Sequence, residues 1–306
     1  MRYQTLSSYL KTKYQTPVGK ICIDGGFTCP NRDGKAGYGG CIFCGERGSG
    51  EHLNPQKSIR EQVESFLSHP HKEQKFIAYF QNFTNTYADV ATLKERYDAA
   101  LISDKIVALA VGTRPDAIDG EVCKLLSSYR EKYDVWVELG LQTANDETAK
   151  IINRGYPREV FERAMTVLSA YQIPVVVHLM LGLPGEGEED FLASAAYLSR
   201  FSLFGVKIHS VYVMKGTALC DLYEKGEYRP IGLDAYVDGV VSVLAHLSPG
   251  VVIHRLTGDC PEGMLTAPLW SRDKTAVLNR IRARMEEQNI RQGDFFVSNR
   301  ETEPSC

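Results

Sequence analysis

After a cysteine-rich opening, short apolar runs rich in β-branched residues alternate with longer stretches in which apolar positions recur every three or four residues. The runs fall at 20–23, 76–80, 106–112, 135–141, 174–181 and 206–213 and predict six strands. The helical spacing predicts helices over 59–68, 90–102, 119–133, 157–171 and 188–202. Strand followed by helix, repeated, calls for a parallel sheet with crossover helices. Runs such as VWVEL and PVVVHLML are apolar at almost every position, as strands covered on both faces are. The pattern predicts an α/β fold, a partial (β/α)6 TIM-type barrel, with a doubly wound open sheet as the structural alternative. Both architectures place function at the C-terminal ends of the strands. Polar residues gather there: Gln81, Asn82 and Thr84, then Thr113, Arg114 and Asp116, then Gln142 and Thr143, then the turn 182–186.

From Leu219 onward the alternation fades. A helix over 233–247, a short strand over 252–256 and a basic helix over 271–288 read as a small C-terminal extension, 219–306, packed on a core made by 1–218. With 306 residues, 43% of them hydrophobic, the chain can bury a sizeable core. A formal charge of -3 argues against a globally basic nucleic-acid binder and leaves room for a local basic face. The first residues carry no apolar signal segment, and no run approaches the ~18 apolar residues of a membrane span. The expectation is a cytoplasmic protein with no membrane contact.

In that setting eight cysteines are thiols or metal ligands rather than a disulfide framework. Cys22, Cys29, Cys41 and Cys44 crowd into the first 44 residues, within a loop spanning 22–50, while Cys123, Cys220, Cys260 and Cys306 are scattered. Cys123 lies in an amphipathic helical pattern and reads as an inert buried thiol. The segment FTCPNRDGKAGYGGCIFC is rich in glycine, which permits close backbone approach and positive φ around a compact cofactor. Four thiolates including Cys22 would suit a closed zinc site. Three would leave one iron of a [4Fe-4S] cluster without a protein ligand. Cys22, inside the apolar run KICID, reads as a buried strand residue; the spacing alone leaves zinc and iron-sulfur both open.

The run CPNRDGKAGYGGCIFC resembles the radical S-adenosylmethionine (SAM) superfamily, in the variant with a long spacer before the last C-x-aromatic-C. GTRPD at 112–116, ELGLQT at 138–143, INRGY at 152–156, LGLPGE at 181–186, HSVYVMKGTAL at 209–219, RLTGDCP at 255–261 and APLW at 267–270 extend the likeness. They are similar to the bacterial branch related to the Elongator catalytic subunit, the YhcC/YtqA-like family. The resemblance implies a [4Fe-4S] cluster on Cys29, Cys41 and Cys44, with S-adenosyl-L-methionine chelating the open iron. It further implies an electron donor such as flavodoxin or ferredoxin, and reductive cleavage of SAM to a 5'-deoxyadenosyl radical. The protein orients the cofactor and excludes water, while the cofactor carries the hard chemistry.

On the same resemblance Phe43 would lie against adenine. Gln81 and Asn82 stand where the superfamily has a Gly-Gly-Glu-type segment touching the SAM amino group, a departure from its pattern. Glu138, Gln142 and Thr143 are candidates for the ribose or the amino-acid moiety; a Glu inside VWVELGL is costly to bury without a partner. Arg154 is a candidate for the methionine carboxylate, since a guanidinium fork matches a carboxylate. Gly182, Pro184 and Gly185 would bring backbone to adenine, and the alternative for them is a plain βα turn. Tyr212, at the end of the sixth strand, is a further candidate. His178 and His209, within apolar strands, read as core histidines in preference to site residues.

Kinship with the Elongator branch implies tRNA as partner, with conversion of a carboxymethylaminomethyl group on wobble uridine to aminomethyl. The basic helix, with Arg272, Lys274, Arg280, Arg282, Arg284 and Arg291, offers phosphate contacts; the alternative is a solvated face with Val277, Leu278, Ile281 and Met285 docked inward. A radical SAM enzyme on a small metabolite or cofactor precursor, and a zinc-stabilised non-catalytic binding module, are the competing functions.

Overall fold

A computed structural model describes residues 2–48, 50–51 and 53–297; Cys306 lies outside the described residues. In chain order the elements are α1 (Leu6–Tyr14), β1 (Val18–Ile23), α2 (Ile59–Leu67), β2 (Lys75–Phe80), α3 (Val90–Ala100), β3 (Ile106–Thr113), α4 (Gly120–Tyr129) and β4 (Asp134–Gln142). There follow α5 (Asp146–Ile151), α6 (Arg158–Ala170), β5 (Val175–Leu181), α7 (Glu188–Leu198), β6 (Gly205–Ser210) and β7 (Val213–Met214). The chain continues through α8 (Ala218–Glu224), α9 (Leu233–His246), β8 (Val252–Arg255), β9 (Leu265–Ala267) and α10 (Lys274–Glu287).

Helix starts follow local chemistry. Ser58 and Glu61 form a reciprocal capping box ahead of α2, and Asp89 and Asp119 accept from the first free N–H groups of α3 and α4.

Seven strands form one all-parallel sheet in the order β1-β2-β3-β4-β5-β6-β8. The order runs in one direction without the reversal that defines a doubly wound sheet, so the sheet curls into a partial barrel. Sequence reading expects six strands. The seventh, β8, is the short strand expected over 252–256 in the C-terminal segment; it pairs with β6 and joins the barrel sheet as its edge. The run read as one strand over 206–213 is broken: β6 stops at Ser210, and Val213–Met214 pairs instead with β9. The short helices α5 and α8 carry too few turns for a periodic signal, and α1, as long as α2, has only a weak apolar stripe.

The outer face of the sheet, with the helices, makes the main core, to which α9 contributes Tyr236, Val240 and Leu244 and α10 contributes Val277, Ile281 and Met285. A second cluster fills the inside of the barrel: Ile77, Tyr79, Ala108, Ala110, Trp136, Val176 and Val252, joined by Leu6 and Leu10 of α1. The edge strands β1 and β8 do not pair with each other, and α1 packs against both, closing the gap that a full barrel would fill with further strands. Cys123 is fully buried in α4, and Cys22 is half-buried on β1 beside the inner cluster.

Candidate active site

The cysteine loop leaves the C-terminal end of β1 and is folded largely on its own backbone. Cys29 O accepts from Arg32 N at 2.8 Å, Pro30 O from Ala36 N at 2.7 Å, Asn31 O from Gly40 N at 2.8 Å and Cys41 O from Cys44 N at 2.9 Å. Gly39 and Gly40 lie at φ 78° and 79°, where a side chain would be strained, so the turn into Cys41 requires glycine. Asn153 fastens this loop to the rest of the barrel: its side chain donates to Gly40 O at 2.7 Å and Tyr38 O at 3.1 Å. Gly155 leaves room for the fully buried Asn31, whose amide oxygen a Cβ there would approach at 2.7 Å. The INRGY segment is thus a clamp that holds the cysteines over the strand ends.

Cys29, Cys41 and Cys44 line one cleft at the C-terminal ends of the strands, together with Phe43, Gln81, Glu138, Gln142, Arg154 and Tyr212 from the predicted set. A hydrogen bond from Cys44, with Arg114 and Arg154 nearby, draws the Cys41 thiol below its usual range against the opposing cost of burial. Asn82 and Thr143 are buried behind the cleft wall. Both polar atoms of Asn82, and the hydroxyl of the cleft-lining Thr84, have no hydrogen-bond partner among the described residues. Such orphaned groups are costly unless something else satisfies them. Gly182, Pro184 and Gly185 are not brought to this cleft; with Tyr228 and Ile231 they line a separate hollow, and Tyr228 Oη donates to Gly182 O at 2.6 Å.

Arg154 has another task than the one its guanidinium suggests. It is fully buried, and four of its five N–H groups are committed: to Tyr156 O at 3.0 Å, Leu141 O at 2.6 Å, Thr143 O at 2.8 Å and the Asp146 carboxylate at 3.0 Å. It satisfies the carbonyls at the end of β4, where Gln142 turns to φ 62°. Glu138 is likewise occupied: its carboxylate takes Lys207 Nζ, His178 Nε2 at 2.8 Å and Trp136 Nε1 at 3.3 Å. Burial would raise the Glu138 carboxyl, but Lys207, His178 and Lys20 hold it well below the usual range. Tyr79 Oη sits 3.0 Å from Lys207 Nζ and extends the network to β2.

Among the cleft residues not singled out as site residues from the sequence are Arg32, Arg114, His178 and His209. Arg114 grips Asp116 through two bonds, 2.9 and 2.6 Å, and stacks over Tyr156. The histidines correct the core reading, since both line the cleft with ring centroids 5.2 Å apart. Their signal was present: Lys207 with His209, and His178 with Met180, sit two residues apart in apolar strands, one inward stripe of polar or soft groups. The basic face of α10 is largely neutralised, with Arg280 on Asp234 at 3.0 Å, Arg284 on Asp238, and Lys274 on Asp259.

Among the described residues no three His, Cys, Asp or Glu side chains converge on a point where a single ion would sit. Three thiols of one loop on one cleft fit a cluster whose irons each take their own thiolate, and the orphaned polar groups beside them fit a ligand rich in hydrogen-bonding atoms.

Residues 29–198 match the model of the radical SAM superfamily, and 204–287 match the radical SAM C-terminal domain. The chain belongs to the radical SAM superfamily. The family implies SAM and a [4Fe-4S] cluster, and the chain is a radical SAM enzyme. It is 37% identical over 299 residues to protein YtqA of Bacillus subtilis, covering 96% of this chain and 93% of that one. It is 29% identical over 169 residues to a tRNA uridine(34) acetyltransferase of Dehalococcoides mccartyi, over 54% of this chain and 36% of the other. In three dimensions it is similar to the archaeal Methanocaldococcus infernus Elp3, with a TM-score of 0.67 and 20% identity, over 90% of this chain and 64% of that one. No helix among the described residues is long and apolar enough to cross a membrane.

Proposed function

We propose that Cys29, Cys41 and Cys44 hold the cluster and that the cleft beside them receives SAM, for modification of a uridine side chain at the tRNA wobble position. The observation that carries the cofactor reading is the convergence of the three thiols of one loop on one cleft at the strand ends. When bound, cluster and SAM supply a carbon-centred radical able to remove hydrogen from unactivated carbon. The residues of the chain supply the rest. The INRGY clamp fixes the loop, Arg154 holds the end of β4 in shape, and Phe43 presents an aromatic surface to the cleft. Asn82, which with Gln81 stands in the place of the usual Gly-Gly-Glu-type segment, and Thr84 beyond it offer hydrogen bonds that the protein itself does not use. A small one-electron donor of the flavodoxin or ferredoxin type would serve the cluster.

The tRNA substrate rests on kinship with the Elongator-like branch and on the tRNA uridine(34) acetyltransferase among its relatives. The specific step is conversion of carboxymethylaminomethyl-uridine to aminomethyl-uridine. A strain lacking the gene should accumulate the unprocessed side chain, read by mass spectrometry of nucleosides from digested bulk tRNA beside wild type. An unchanged profile would transfer the reaction to a small metabolite. That second reading draws support from α10, whose arginines are spent on Asp234 and Asp238 instead of facing a phosphate backbone.

A further inference from the structure

The wall of the cleft opposite the cysteine loop carries a histidine set up for proton transfer. His178 Nε2 lies 2.8 Å from Glu138 Oε2, and the same oxygen is held by Lys207 Nζ, itself 3.0 Å from Tyr79 Oη. Glu138 and Lys207 are 1% and 2% exposed, so the support is rigid and dry; His178, half-buried, is the member of the chain that reaches the cleft. A carboxylate on Nε2 selects the tautomer with the proton there, which leaves the Nδ1 lone pair free. Nδ1 has no partner among the described residues, nor is it one of the buried unsatisfied atoms, so it is open to the cleft.

We propose that His178 is a catalytic base of the cleft, taking a proton from an N–H or O–H group of the substrate, and that Glu138 and Lys207 are the residues that position it. The substrate's X–H bond breaks, its electron pair stays on X, and the proton forms a new bond to Nδ1. The imidazolium so made is held by Glu138, and no electron changes hands. The reaction therefore needs a heteroatom-bound proton on the substrate near the carbon that loses hydrogen, which an amine or a nucleobase supplies and a simple hydrocarbon chain does not. The proposal rests on the cleft being the reaction chamber, and is independent of tRNA being the substrate.

The charged and titratable groups facing the ring are Glu138 from β4, Lys207 and His209 from β6, and Arg255 and His254 from β8. Burial, then Lys207 and Arg255, lower the His178 pKa, while Glu138 opposes them; the ring is neutral at pH 7 and ready to accept.

Two measurements on the cluster-loaded protein test this. With ring-15N histidine, the His178 signals, assigned by their loss in His178→Gln, should show a neutral ring with the proton on Nε2 at pH 7.5. A proton on Nδ1, or a charged ring, would overturn the proposal whatever the substrate. With bulk tRNA from the deletion strain, His178→Gln should lower kcat at least ~10²-fold, with KM within threefold. Wild-type kcat should fall on the acid side as His178 takes up a proton, and that limb should be missing in His178→Gln. A variant that keeps kcat within threefold, or that retains the acid limb, overturns the base role. If wild type leaves the tRNA untouched, the substrate reading fails and the tautomer measurement alone judges the base.

Discussion

The barrel interior changes character halfway along the same strands. Near their N-terminal ends Ile77, Ala108, Trp136, Val176 and Val252 point inward, with Leu6 and Leu10 pressed against them from the open side. One or two inward positions further on, the strands turn in Tyr79, Glu138, His178 and Lys207, and then His209 and the cleft. The lower half stabilises by removing apolar surface from water, roughly 25 cal/mol per Å². The upper half contains an ion pair whose desolvation opposes its Coulomb attraction, so its contribution to stability is small and its geometry is what it offers. The two halves should differ in how they answer removal of their own interactions: the upper one tolerates losing both partners together, the lower one does not tolerate losing volume.

The largest effect should come from breaking the upper pair on one side. Glu138→Ala strands Lys207 in a site it cannot leave and should cost about 3 to 5 kcal/mol. A double variant, Glu138→Leu with Lys207→Met, removes both charges and should regain most of that loss. Urea unfolding of the three proteins checks both numbers. A double variant no more stable than the single one would show that the network holds the fold as well as the site. Lys207, which burial pushes down to about 7 with Glu138 opposing, is the member most ready to give up its charge.

The lower half should behave like any packed core. Leu10 is 3% exposed among Trp136, Val176 and Val252, and Leu10→Ala should cost about 3 kcal/mol through lost transfer energy and the cavity left behind. The same denaturant titration reads it. Because Leu10 is not one of the residues lining the cleft, cluster content after reconstitution should match wild type. Loss of cluster in Leu10→Ala would mean that the plug shapes the cleft from below and that the division between the halves is not clean.

How much of this was legible beforehand follows the same division. The five strands from 20–23 to 174–181 are apolar runs bounded by turns, and each is found within two residues of its expected bounds. The cysteine loop announces itself by residue type and spacing. What the sequence conceals is set by contacts across the fold. α1 has a weak apolar stripe and acquires its place only because two edge strands leave a gap for it. Arg154 looks like a ligand-binding guanidinium until the carbonyls of Leu141, Thr143 and Tyr156 are seen around it. His178 and Glu138, 40 residues apart in sequence, become partners only when β4 and β5 pair in register.

The smallest effect should come from an ion pair of the same chemistry placed outside the barrel. Arg280 and Asp234 meet at 3.0 Å, as close as many buried pairs, yet their side chains are 50% and 69% exposed. Water screens both charges, and holding two long side chains together costs entropy, so the pair contributes little. Arg280→Ala should change stability by less than about 1 kcal/mol, against the several expected for Glu138→Ala. The same variant bears on function. A guanidinium already paired with Asp234 adds little to a phosphate contact, so filter binding of bulk tRNA should change less than twofold, with an unchanged dependence on salt. A shallower salt dependence in Arg280→Ala would show that a phosphate displaces Asp234 and releases counterion there. Helix α10 would then be a nucleic-acid contact after all, and exposure alone would not separate structural charges from functional ones in this protein.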